Sequence, residues 1–94
     1  MSAMSAYEKA YVPVEVSFDE RGVMRPVRLT WQDGKIFEID RVIQIKPAAA
    51  MKAGGQGDRY TIRIAGKETY LFFERSTADC GAVIGRWFVE KKIS

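Results

Sequence analysis

The sequence predicts a mostly β protein, an antiparallel meander of about six short strands that curls into a small barrel or roll of SH3-like or OB-like size. Three observations support this fold class. Apolar and polar residues alternate over short stretches, turn residues recur roughly every eight to twelve positions, and no long stretch has the apolar spacing of a helix. The alternative is an open sheet covered by a helix from the N-terminal tail or from the long central connection.

The length of the chain bears on its domain organisation, and its net charge bears on polyanion binding. The chain has 94 residues and a formal net charge of +3, spread without a polybasic block. We assign residues 1–10 to a mobile N-terminal tail and residues 11–94 to a single β domain. The modest positive charge is compatible with polyanion binding, although a solvated surface explains it more simply.

Cysteine and histidine usage bears on cofactors and on the compartment. The chain has one cysteine and no histidine, which excludes an internal disulfide and leaves zinc without its usual ligands. We therefore expect no metal and no cofactor. The first residues lack a basic start followed by an apolar run, and no segment is long and apolar enough to span a bilayer. These features predict a cytoplasmic protein without membrane contact.

The first two strands are predicted from alternation. Residues 11–18 alternate, and Pro13 places them at a sheet edge or at a strand start, because proline has no amide hydrogen for a ladder. The apolar side of this strand carries Val12, Val14, Val16 and Phe18. After a turn at residues 19–22, residues 24–31 form the second strand. Its core side carries Val27, Leu29 and Trp31, which exposes Pro26, Arg28 and Thr30.

The middle of the chain contains one hairpin signal and one long connection. The Asp33-Gly34 pair predicts a hairpin, with a third strand that starts near Lys35. Alternation is lost after Asp40, so we expect a bulge or a sharp bend there. Residues 46–58 are interpreted as a flexible connection with a short helical turn after Pro47. They lack the lysine followed by serine or threonine that a phosphate-binding loop requires.

The C-terminal half is organised around a hairpin of residues 59–75 that turns at residues 65–67, where Gly66 can take a positive φ. Residues 76–79 have the Ser-x-x-acid spacing of a helix start. We interpret Cys80 as a packing residue rather than a nucleophile, because nothing nearby lowers its pKa strongly. Residues 83–93 form the last strand, and we expect both Trp31 and Trp87 in the core.

The second strand of the central hairpin suggests a functional surface. Residues 69–73 are apolar on both faces, so one face packs on the core and the other is covered by the chain itself, by a second copy or by a ligand. The candidate binding residues on that outward face are Arg63, Tyr70, Phe72, Arg86 and Phe88. Aromatic rings interleaved with arginines on an open sheet are typical of proteins that bind single-stranded nucleic acid.

Two functions follow from this face, and neither is catalytic. The first is a protein-interaction or self-associating adaptor, with a protein partner or a second copy against the aromatic rings. The alternative is weak binding of single-stranded nucleic acid. A continuous positive rim around the rings favours nucleic acid, and a mixed rim favours protein. The sequence contains no serine elbow, nucleotide fingerprint or paired carboxylates in a dry pocket, so we do not expect an enzyme.

A family resemblance adds to these expectations. Distinctive motifs follow one another along the chain: residues 25–31 (RPVRLTW), 34–35 (GK), 41–42 (RV), 59–62 (RYTI), 70–72 (YLF) and 86–88 (RWF). In this order they resemble a small bacterial β-domain family of unknown function. Similar domains also form the C-terminal module of inactive Y-family polymerase-like proteins of mutagenesis and DNA repair. The resemblance implies a bacterial β module, an adaptor in a DNA-associated complex, with no catalytic residue to assign.

Overall fold

The computed structural model describes residues 6–50, 55–76, 81 and 83–93. Within these ranges the chain forms eight strands and no helix. The strands are β1 (Ala6–Tyr11), β2 (Val14–Phe18), β3 (Met24–Thr30), β4 (Ile36–Glu38), β5 (Arg41–Ala50), β6 (Gly55–Ile64), β7 (Lys67–Arg75) and β8 (Gly85–Ile93). Every pair of neighbouring strands is antiparallel. The predicted mostly β, antiparallel class is therefore confirmed.

The strands form two sheets, not one curled meander. The large sheet has the order β1-β8-β7-β6-β5, and the small sheet has the order β2-β3-β4. The predicted count of about six strands is wrong, because eight strands are described, and the described strands form two sheets in which no closed barrel is found. The helix-covered alternative is also not seen in the described part of the chain, where the residues expected to supply the helix are strands.

The chain passes between the two sheets at two corners. At the first, the Val12 amide donates to the Trp87 carbonyl of the large sheet, and the Pro13 carbonyl accepts from the Thr30 amide of the small sheet, both at 3.0 Å. At the second, the Ile39 amide donates to Val27 at 2.9 Å and the Asp40 amide to Arg63 at 2.8 Å. The bend expected near Asp40 is therefore present, as a change of sheet.

Strand β1 occupies residues that the sequence assigned to a mobile tail. Ala6 to Tyr11 pair with β8 along their whole length, from Ala6 opposite Ile93 to Tyr11 opposite Phe88. Ala10 is only 2% exposed. Residues 6–10 therefore belong to the large sheet, because its edge provides a partner for this segment that local sequence patterns do not reveal.

The long connection is mostly a hairpin. Strands β5 and β6 pair from Arg41 opposite Arg63 to Ala50 opposite Gly55, so residues 46–50 and 55–58 are not a loop, and no helical turn follows Pro47 before residue 51. Pro47 is tolerated because β5 is an edge strand of the large sheet. The tip at residues 51–54, the expected helix start at residues 77–79 and Cys80 lie outside the described residues.

A bulge changes which side chains of β3 face the core. Glu15 pairs with Arg28 and Val16 pairs with Pro26, which leaves Val27 as the extra residue. Pro26 is therefore buried and not exposed as alternation predicted. At the far end of β2, Phe18 was expected on the core side but is 60% exposed. Regular alternation holds only until the register shifts.

Two turns are formed as the sequence predicts. Ala65 and Gly66 connect β6 to β7 with φ values of 51° and 80°, as a type I′ turn requires. Gly34 has a φ of 90° between β3 and β4, where the Trp31 amide donates to the Lys35 carbonyl at 2.7 Å. Local turn chemistry is sufficient at both sites.

The main core lies between the two sheets. Its buried members are Val12, Leu29, Tyr60, Ile62, Leu71, Phe73 and Trp87. The Trp87 ring centroid lies 4.9 Å from those of both Tyr60 and Phe73. Trp31 is partly buried and packs against this cluster. The core position is confirmed for Trp87, whereas Trp31 packs at the edge of the core and stays partly exposed.

Candidate functional site

The outer face of the large sheet, opposite the small sheet, carries all five candidate binding residues. One row of side chains crosses every strand of that sheet. From β1 to β5 the row is Tyr11, Phe88, Phe72, Arg59 and Lys46. Aromatic residues therefore occupy the middle and one end of the row, and cations occupy the other end.

The two phenylalanines of this row are buried. Phe72 is 2% exposed and Phe88 is fully buried, and their rings stack at 5.1 Å with an interplanar angle of 9°. Both were expected to present their rings to a ligand. They share the predicted face, but in this structure they have almost no surface to offer. Because both rings are buried, Phe72 and Phe88 pack beneath the exposed residues of this face and do not contact a ligand directly.

A carboxylate on β7 connects three strands on the β1 side of the face. Glu74 accepts hydrogen bonds from Lys9 Nζ at 2.7 Å, from the Tyr11 hydroxyl at 3.0 Å and from Arg86 Nη2 at 3.2 Å. The hydrogen bond from Lys9 is the main reason that the pKa of Glu74 is lowered, and the same bond raises the pKa of Lys9. This Glu74 cluster therefore ties β1 to β7 across β8.

Two arginine–tyrosine stacks flank the buried phenylalanines. Arg86 Cζ lies 4.0 Å from the ring centroid of Tyr11, and Arg59 Cζ lies 4.6 Å from that of Tyr70. Both tyrosines are accessible, with Tyr11 38% and Tyr70 48% exposed. Arginine and tyrosine are enriched at protein interfaces, and a guanidinium over a tyrosine ring gains a cation–π attraction.

The cross-strand ion pair considered for Arg63 is weak. Its Nη2 lies 3.5 Å from Glu68 Oε2, at the limit of a hydrogen bond, and its side chain is 44% exposed. Arg86 is bound to Glu74 as expected for a cross-strand pair, yet its side chain is 62% exposed. Arg63, Tyr70 and Arg86 are thus accessible, and their role in binding stays a prediction.

An open groove of about 400 Å³ lies beside the β1 edge of the outer face. We call it the corner groove, because it is built on the first corner of the chain. Its lining residues are Tyr11, Val12, Pro13, Val14, Gly85, Arg86 and Trp87. Val83 and Ile84, which precede Gly85 in the chain, are 50% and 69% exposed. The groove is therefore mainly apolar, with the Arg86 guanidinium as its cation.

Sequence reasoning missed the contribution of β1 to this region. Lys9, Tyr11 and Pro13 were placed in the tail or at a strand start, so none became a candidate. The available signal was weak: Tyr7, Lys9 and Tyr11 repeat with the period of a strand. Such a short repeat is convincing only when the partner strand β8 is known.

Among the described residues, no group of three or more histidine, cysteine, aspartate or glutamate residues is placed to hold a metal ion. In the same part of the chain, no helix is long and apolar enough to cross a membrane.

The described residues form a small antiparallel β domain of two open sheets, with accessible arginine and tyrosine side chains on the outer face of the larger sheet. Comparison of the chain with protein-family models, with curated proteins and with solved structures finds no match. The resemblance to a bacterial β-domain family and to the polymerase-like proteins therefore stays a prediction.

Proposed function

We propose that this domain is a non-catalytic adaptor that binds a short acidic and apolar segment of a protein partner in the corner groove. The observation that carries this proposal is the composition of the groove, in which one accessible guanidinium stands beside apolar walls. Such a site fits a peptide with one apolar side chain next to an aspartate or glutamate.

The accessible donors of Arg86 support an acidic ligand. Glu74 accepts from both Lys9 and Arg86, so two cations share this carboxylate, while Glu90 lies opposite Lys9 in the register. Among the described residues, Arg86 binds Glu74 and Tyr11 through Nη2. Its remaining donors can bind a ligand carboxylate in the paired geometry that guanidinium groups favour.

The apolar walls supply the second half of the recognition. Pro13 and Val14 come from the first corner, and the exposed Val83 and Ile84 extend the apolar surface beyond Gly85. Exposed aliphatic side chains next to an apolar groove are typical of protein contacts. The family resemblance suggests a bacterial, DNA-associated complex as the setting, and the single cysteine favours the reducing cytoplasm.

A selection followed by one substitution tests this function. Peptides selected from a random display library on the immobilised domain should combine an apolar residue with a neighbouring carboxylate. Arg86→Gln should weaken binding of the selected peptide by roughly 1.5 to 3 kcal/mol, as measured by calorimetry, because a charged hydrogen bond is lost. Arg25→Gln, an exposed arginine of the small sheet that pairs with Asp19, is the matched control. Equal affinities for both variants would contradict the proposal.

The same samples distinguish a partner protein from a second copy. The adaptor function predicts a monomer at micromolar concentration in sedimentation velocity, since no peptide is present. A dimer that Arg86→Gln dissociates would instead assign the groove to self-association, which the sequence also allows.

The second candidate function is weak binding of single-stranded nucleic acid. It is favoured by a specific observation, the unbalanced positive charge at the β5 end of the outer face. There Lys46 and Arg59 continue the aromatic row without a paired carboxylate among the described residues. The rim is thus mixed near Glu74 and positive near β5, and the two candidate functions use different ends of one face.

A further inference from the structure

Four cations lie together on the β5–β6 half of the outer face. Register places Arg41 directly opposite Arg63 and Lys46 directly opposite Arg59, with the uncharged pair Gln44 and Thr61 between them. We call Arg41, Lys46, Arg59 and Arg63 the cation quartet. Like charges directly opposite each other across antiparallel strands repel. An anionic ligand would be attracted to all four cations and would offset the repulsion between them.

The cation quartet lacks the carboxylates that neutralise other basic residues of the domain. Among the ion pairs formed by the described residues, only the 3.5 Å contact between Arg63 and Glu68 involves a member of the quartet. Arg28, on the small sheet, instead binds both Glu15 and Glu38 at 2.8 Å. Arg41, Lys46 and Arg59 thus form no ion pair among the described residues, and Arg63 forms only a long one.

Two quartet members also carry unpaired donors. Nε of Arg59 and Nε of Arg63 are buried and have no hydrogen-bond partner among the described residues. Buried polar atoms are normally hydrogen-bonded, so each exception calls for an explanation. If the guanidinium groups turn towards ligand oxygens, both donors gain partners, and the planar fork of arginine suits phosphate.

An accessible aromatic ring lies within the same patch. Tyr70 pairs across the strands with Thr61, at the centre of the quartet, and is 48% exposed. Arg59 already stacks on its ring at 4.6 Å. A nucleic-acid base can stack on such a ring, whereas a phosphate group makes no stacking contact with it.

We propose that the cation quartet and Tyr70 form a site for single-stranded nucleic acid, in which the quartet contacts phosphates and Tyr70 stacks on a base. This proposal rests on the second candidate function, binding of single-stranded nucleic acid, and names the residues that would bind it. It differs from the patch predicted from the sequence, which also contained Arg59, because Arg41 and Lys46 of β5 are added and the buried phenylalanines and Arg86 are left out.

The spacing of the quartet favours a polymer over a single phosphate. Arg59 and Arg63 are four residues apart on β6, roughly 13 Å at about 3.3 Å per residue. One phosphate can contact one cation pair, whereas an extended strand can contact both. Bases are accessible for stacking in a single strand and not in a duplex, so Tyr70 predicts a preference for single strands.

Fluorescence anisotropy with a labelled oligothymidine of about 12 nucleotides tests the site. The double variant Arg41→Gln/Lys46→Gln should reduce the salt dependence of binding by about 1.4 in slope, at roughly 0.7 for each lost phosphate contact. The matched control Arg21→Gln/Lys35→Gln removes the same charges from exposed turns of the small sheet and should leave the slope unchanged. Tyr70→Leu should weaken binding about 5- to 150-fold.

The possible outcomes distinguish failure of this site from failure of the two candidate functions. Oligothymidine binding that both double variants weaken equally would overturn the site but not nucleic-acid binding. If no binding is seen at low salt, the site and the second candidate function both fail, and the corner groove is unaffected. If a duplex, polyphosphate or vesicles of phosphatidylcholine and phosphatidylserine bind as well as the single strand, and Tyr70→Leu binds normally, the ligand is not single-stranded nucleic acid.

Discussion

Replacing Gly85 by alanine is a sharp test of how β7 and β8 pack. A β-carbon at this position would lie 2.5 Å from the Glu74 carbonyl oxygen and 2.6 Å from Phe73 Cζ. The carbonyl belongs to a paired strand, with Arg75 opposite Gly85 and Glu74 opposite Arg86, so it cannot move without disturbing the ladder. Overpacking typically costs about 1 to 3 kcal/mol, and a backbone obstacle places Gly85→Ala near 3 kcal/mol.

Thermal unfolding followed by circular dichroism measures this cost. At about 4 to 8 °C for each kcal/mol in a domain of this size, the midpoint should fall by roughly 12 to 24 °C. Gly81→Ala is the matched control, because a β-carbon there meets no atom of the described residues within 4 Å. If the Gly85→Ala and Gly81→Ala proteins have the same unfolding midpoint, the close packing of β7 on β8 is refuted.

Three further changes test the core, a turn and the Glu74 cluster. Trp87→Ala should cost about 3 to 5 kcal/mol in urea unfolding, since the ring packs between Tyr60 and Phe73; an unchanged midpoint would contradict this. Ala65→Asn should add up to about 1 kcal/mol, because asparagine tolerates the positive φ better; a loss of stability would be inconsistent with the type I′ turn. Glu74→Gln should lower stability at neutral pH, and its deficit should shrink as the pH falls below about 4.5.

The sign of that pH dependence follows from the direction of the shift. The pKa of Glu74 is lower in the folded protein than its ordinary value of 4.5, mainly through the hydrogen bond from Lys9. The folded state therefore favours the ionised form, and the stability gained is complete above the unfolded pKa and lost as pH falls through the folded one. A deficit for Glu74→Gln that grows in acid would contradict the Glu74 cluster.

Features set by neighbouring residues could be predicted from the sequence. Asp33-Gly34 and Ala65-Gly66 specify their turns, because positive φ values there depend on the turn residues themselves. Alternation correctly places Tyr70 and Arg63 on the outer face. The division into two sheets could not be predicted in the same way, because each corner is fixed by hydrogen bonds to strands far away in the sequence.

Features set by distant partners were missed for the same reason. Lys9 binds Glu74 across 65 positions and Tyr11 binds Arg86 across 75, so nothing local distinguishes β1 from a tail. Alternation also could not reveal that Phe72 and Phe88 are buried, since the same pattern fits an exposed ring and a covered ring. At Pro26, a single extra residue in the strand reverses the expected face.

The most direct test of the adaptor function is an NMR map of backbone amide shifts in the domain, titrated with the selected acidic and apolar peptide. The shifts should concentrate at the amides of Tyr11, Val12 and Val14 and of residues 85–87, which line the corner groove. Amides at the β5–β6 end, around Thr61, should change little. Shifts confined to the small sheet around Arg28, or none at saturating peptide, would contradict the assignment of the corner groove as the protein-binding site.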